Sequence, residues 1–119
     1  MSSWVTSTLV FVRDVDASIR FYVDKLGFTL NMRYEEEGRA LVAGVSRGDG
    51  CALLLTSQWS DRIGLGIIYA AFDQKEFDAL RADLESRHVT PKDGWWGNQV
   101  LIVEDSDGSA ILCVSLNCV

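Results

Sequence analysis

The sequence predicts an α+β fold built from two similar modules in one domain. Three observations carry that reading. Strand-like and helix-like stretches follow one another in the same order in both halves. The apolar stripe Ile19, Tyr22, Leu26 recurs as Phe77, Leu80, Leu84, each pair offset by 58 positions. A chain of 119 residues with 48 % hydrophobic residues and one proline has the size of a single domain with a core of its own.

Each element has a local reason. Thr6 to Val12 is short, apolar and β-branched, the pattern of a buried strand. Asp14 or Asp16 can cap a helix, because a carboxylate accepts the free N–H groups of the first turn. Val15, Ile19, Tyr22 and Leu26 then lie on one helical face, and Gly27 supplies a left-handed stop. Three strand-like runs follow: Phe28 to Glu35, Arg39 to Ser46, and Cys51 to Thr56. Glu37-Gly38 and Gly48-Asp49-Gly50 punctuate them as turns. The polar stretch Gln58 to Gly64 joins two modules of approximately 1–57 and 64–119.

The second half begins the same way. Leu65 to Phe72 reads as a strand, Asp73 and Glu76 as a capping box, and Phe77, Leu80 and Leu84 as an apolar helical stripe. Val100 to Val103 reads as a strand and Asp105-Ser106-Asp107-Gly108 as a tight turn. Ala110 to Leu116 closes the chain as a last strand. Two β-α-β-β-β units imply curved sheets with helices on the outer face. The opposite, concave face is the expected site.

Composition excludes several classes. The net charge is −6 and the Lys and Arg residues are scattered, which disfavours nucleic acid, whose phosphates need clustered cations. The acidic balance is compatible with a cationic ligand, but most small acidic proteins are acidic simply for solubility. No run approaches the ~18 apolar residues of a membrane span. Met1 to Thr8 lacks the basic and apolar regions of a signal peptide, so a cytoplasmic location is expected. Cys51, Cys113 and Cys118 are odd in number and follow no metal spacing, as expected of free thiols in a reducing compartment. No nucleophile elbow, phosphate loop or paired-cysteine motif is present.

The stretch Val12-Arg13-Asp14-Val15-Asp16-Ala17-Ser18-Ile19-Arg20-Phe21-Tyr22, followed by Leu26-Gly27-Phe28, resembles the N-terminal signature of the vicinal oxygen chelate superfamily. That superfamily includes glyoxalase I, extradiol dioxygenases and the bleomycin-resistance proteins. Trp96-Gly97, Val100 to Glu104 and Asp105-Ser106-Asp107-Gly108 resemble its C-terminal signature, with serine in place of a proline. Together the two cover nearly the whole chain. The resemblance implies two βαβββ modules and a homodimer. In bleomycin-resistance members it implies two ligand clefts at the dimer interface, each lined by both chains.

It also implies four metal-ligand positions, and here the chain departs from the pattern. The first histidine position, seven residues before Asp14, is Ser7. A glutamate position on the fourth strand is Leu54. The second histidine position, six or seven residues before Asp73, is Ile67 or Gly66. The last glutamate position, seven residues after Asp105, is Leu112. Such metals take imidazole and carboxylate. Hydrocarbon cannot ligate, and burying a cation against it is costly. His88, the one histidine, falls at the end of the second helix, where a cation complements the helix dipole. No metal, cofactor or catalytic residue is therefore expected.

What remains is an apolar and aromatic lining. Strand alternation puts Ser7, Leu9 and Phe11 on one side of the first strand, and Ala110, Leu112 and Val114 on one side of the last. Trp96 matches the family tryptophan and offers a flat face for stacking, and Trp95 is its alternate. Trp59, in the joint, can roof the cleft, anchor a dimer arm or simply pack. Trp4 reads as a packing or dimer residue. Tyr69, Asn98 and Glu104 are candidates for a polar rim, whereas Glu35-Glu36-Glu37 reads as a solvated turn. Such a lining suits a flat hydrophobic ligand. The expected function is metal-independent binding of a small molecule, as in antibiotic sequestration. The alternatives are a lyase with an atypical site and a dimeric module with no ligand.

Overall fold

The computed structural model describes residues 7–48, 50–95, 97 and 99–115. Trp4, Trp96 and Asn98 lie outside them. The first module runs β1 (Thr8–Phe11), α1 (Val15–Arg20), β2 (Thr29–Glu36), β3 (Arg39–Arg47) and β4 (Cys51–Thr56). The second runs β5 (Ile67–Phe72), α2 (Gln74–Ser86), β6 (Lys92–Trp95), β7 (Gln99–Glu104) and β8 (Ala110–Ser115). Each module folds into a four-stranded sheet, ordered β1-β4-β3-β2 and β5-β8-β7-β6. In both, the first strand pairs parallel with the last, and the other neighbours are antiparallel. The two-module α+β architecture is the one the sequence predicts.

Asp14, not Asp16, caps α1: its Oδ1 accepts from the Ala17 N–H at 3.1 Å. Asp16 instead holds Arg33 of β2 through two hydrogen bonds of 2.8 and 3.0 Å. The helix runs on through a π-helical turn, Phe21–Lys25, and stops at Gly27, whose φ is +73°. Val15, Tyr22 and Leu26 are buried, as their spacing requires. Asp73 caps α2 by accepting from the Glu76 N–H at 2.8 Å. Strand β6 has no counterpart in the sequence reading. Lys92-Asp93-Gly94-Trp95 has no β-branched residue and contains a glycine, so only its pairing with β7 makes it a strand.

One core spans both modules. It joins Val10, Val12, Tyr22, Val45 and Leu55 of the first to Ile68, Leu80, Leu84, Val103 and Cys113 of the second. These residues lie on the helix-bearing faces of the two sheets. A buried polar bolt crosses the same seam: the Tyr22 hydroxyl donates to Asp105 Oδ2 at 2.9 Å. Asp105 Oδ1 in turn accepts from the Asp107 and Ser109 N–H groups, which shapes the Asp105–Gly108 turn. Gly64 lies against that turn with φ +77°, and a Cβ there would collide with the Asp107 carbonyl oxygen. The signature turn thus couples the modules.

The molecule measures 45 × 42 × 26 Å, with a radius of gyration of 14.7 Å. A compact domain of this length is expected near 13.5 Å, roughly. The excess reflects a slab whose sheets each carry a helix on one face and leave the other open.

Candidate functional site

The candidate site is built on those two open faces. In the first module, Leu9 pairs with Leu54, Leu54 with Gly44, and Gly44 with Met32. The next row on the same face is Phe11, Thr56, Val42 and Tyr34. Arg33 points the other way, to Asp16 on α1, which fixes the parity. Gly44 keeps the middle of this face shallow. A Cβ there would come within 3.1 Å of Met32 Cγ and 3.7 Å of Leu54 Cδ2. Trp59 lies at one end, its ring 5.7 Å from that of Phe11 and nearly perpendicular to it. The Arg62 guanidinium stands 5.2 Å from the Trp59 ring centre.

In the second module the open face carries Tyr69, Leu112, Ile102 and Lys92 in one row. Ala71, Val114, Val100 and Gly94 form the next row. Lys92 forms an ion pair with Glu104 across this face. Val100, Leu112 and Val114 make a small apolar cluster of their own, apart from the main core. Among the described residues of these rows this is the one ion pair, so the lining is hydrocarbon and aromatic, with Thr56, Lys92, Glu104 and the Tyr34 and Tyr69 hydroxyls as its polar groups.

The predicted site residues are divided between the two open faces and positions away from them. Leu9, Phe11, Leu54 and Trp59 come together on the first open face, and Tyr69, Leu112 and Glu104 on the second. Ser7 lies exposed, just before β1. Trp95 is placed elsewhere. It pairs with Gln99 and shares the helix-bearing side with Asp93, which accepts from Arg81 of α2 at 2.6 Å. That pairing, with Gln99, holds the Asp93 carboxyl below the usual carboxylate range. Trp96 and Asn98 lie outside the described residues. Met32, Tyr34, Val42 and Gly44 share the first open face with Leu9, Phe11 and Leu54 and went unnamed in the sequence reading. Their signal was present: Met32 and Tyr34 alternate with Arg33 and Glu35, the period of a half-covered strand.

The metal positions can be tested against this register. Leu54 sits beside Leu9, and Leu112 beside Tyr69. Shifting any position by one residue brings in no imidazole or carboxylate. Among the described residues, no three His, Cys, Asp or Glu side chains come together. The residues present do not fit the family metal.

A family model for the Glyoxalase/Bleomycin resistance protein/Dioxygenase superfamily matches residues 4–112, and the chain belongs to that superfamily. No curated protein sequence matches it. Among solved structures it is similar to TnmS3, an antibiotic-binding protein from Streptomyces sp. CB03234, with 24 % identity and a TM-score of 0.72. That match covers 97 % of this chain and 98 % of the other. It is similar also to the bleomycin-binding protein of Streptomyces verticillus, solved with copper(II)-bleomycin. There the identity is 21 %, the TM-score 0.74, and the coverage 97 % and 98 %. A lactoylglutathione lyase from Agrobacterium tumefaciens shares the fold as well, with 18 % identity, a TM-score of 0.75, and coverage of 98 % and 96 %. At these identities the likenesses establish the fold.

Proposed function

We propose that this protein binds a planar, largely apolar small molecule, neutral or cationic, without a metal, and acts by sequestering it as an antibiotic-binding protein would. The observation that carries this reading is the substitution of Leu54 and Leu112 for ligand-bearing residues on two open faces. Each face is otherwise lined by aromatic and aliphatic side chains. Stacking on Trp59, Phe11 and Tyr69, with Trp96 and Asn98 as further contacts, would supply orientation. Apolar burial against Leu9, Leu54 and Leu112 would supply most of the affinity. Met32 and Tyr34 extend the same lining. Glu104 would form part of the rim, while Trp95, on the other side of its sheet, is withdrawn from the proposed contacts.

The protein works as a homodimer in this reading, each cleft closed by two chains. Leu9, Met32, Tyr34 and Tyr69 are 44 to 52 % exposed, an apolar surface that water alone leaves uncovered at a cost. Free thiols at Cys51 and Cys113 fit a reducing, cytoplasmic setting. The test is tryptophan fluorescence titrated with metal-free bleomycin and with uncharged polycyclic aromatics. Saturable quenching at micromolar ligand, lost in Leu54→Glu, is expected. No perturbation by any planar ligand would overturn the proposal.

A further inference from the structure

A second cavity, of about 430 Å³, opens on the helix-bearing side of the sheets, at the seam between the modules. Most of its lining comes from the helix-bearing side, with Tyr69 and Ala71 of the second open face also contributing. We propose that it is a second ligand site, selective for a compact hydrophobic molecule that carries one amine. Its volume falls within the range of small-molecule sites, roughly 300–1,000 Å³. Its walls are apolar: Phe28 and Leu53 from the first module, Ile68, Phe72 and Leu80 from the second.

The mouth carries the charge. Arg47, Asp73 and Glu76 line it. Arg47 donates to the Leu26 carbonyl at 2.8 Å and shares the Asp83 carboxylate with Arg87, each at 3.4 Å, so one cation there is set against the two carboxylates of Asp73 and Glu76. Asp73 spends one carboxylate oxygen on the cap of α2. Glu76 has no side-chain partner among the described residues. The free charge at the mouth is therefore negative, and the net charge of −6 does not oppose a cation's approach. An aromatic body against Phe28 and Phe72, with its ammonium group turned to Asp73 and Glu76, matches both parts of the cavity.

The probe is 1-naphthylmethylamine, compared with 1-naphthylmethanol and 1-naphthylacetate by isothermal titration calorimetry. The cleft reading is held apart by running the titrations in the Leu54→Trp, Leu112→Trp double variant, which fills both open faces. The amine is expected to bind one per chain in that background, more tightly than the alcohol, with the acetate weakest. Ala70→Phe, filling the cavity from β5, should abolish binding of all three. Glu76→Lys, on an exposed turn, should weaken the amine roughly two- to fivefold while leaving the alcohol unchanged. It keeps the test decisive should Ala70→Phe fail to fold. Absence of binding at millimolar probe, or loss of binding in the Leu54→Trp, Leu112→Trp double variant, would overturn the proposal. So would an amine affinity indifferent to Glu76→Lys.

Discussion

Tyr22 shows how one side chain serves two modules. Its ring fills the core of the first, against Phe21 and Phe28, and its hydroxyl reaches Asp105 of the second. Burial and the neighbouring carboxylate push the phenol well above its ordinary range, so it remains a donor at any physiological pH. Tyr22→Phe should cost about 1–2 kcal/mol, because Asp105 then keeps only its backbone donors in a buried setting. Urea denaturation measures this, and an unchanged midpoint would contradict the bolt. Cys113 gives a second residue-scale test. Burial pushes its thiol up to about 12, well above the ordinary thiol range. The unfolded chain loses the proton first, so the thiol's contribution to stability is full below about pH 9 and is lost as the pH rises toward about 12. Stability should decline across that window, less steeply in Cys113→Ala. The native thiol should also resist disulfide reagents at pH 8 and react once the chain unfolds.

At the scale of elements, caps and stripes set the helices. Asp73→Ala should cost about 0.5–2 kcal/mol, read by thermal or urea melting, since it removes the acceptor for the Glu76 N–H at the start of α2. An unaffected melt would mean the helix end is held by something else. The same elements show what was legible in the sequence. Both helices, their starts and Gly27 follow from local chemistry, and Asp14 caps as its position allows. The parity of β1 and β8 follows from alternation, which groups Leu9 with Phe11 and Leu112 with Val114, whereas Leu54 on β4 is reached only through the family's ligand positions. Strand β6 was not, because Lys92-Asp93-Gly94-Trp95 owes its extended form to β7 alone. The helix-side position of Trp95 has the same origin: it depends on pairing with Gln99, which no local pattern records. The part of the site on β2 and β3 was missed for a different reason. Met32 and Tyr34 alternate legibly, but only the cross-strand register sets them beside Gly44 and Leu54.

For the whole molecule, the open faces decide the account. A sheet face lined by Leu9, Met32, Tyr34 and Leu54 is stable when something covers it, and a second copy and a ligand are the proposed covers. Sedimentation at micromolar concentration should give two chains per particle, and Met32→Lys with Tyr34→Lys should shift it to one. A monomer in the unaltered protein would contradict the shared cleft. In the proposed function, hydrocarbon replaces metal chemistry on these faces. Elemental analysis of protein purified without chelator tests it most directly. The expected result is zinc, nickel, manganese and iron far below one atom per chain, with planar-ligand binding unchanged by EDTA. One tightly held metal per cleft, whose removal abolishes binding, would contradict it.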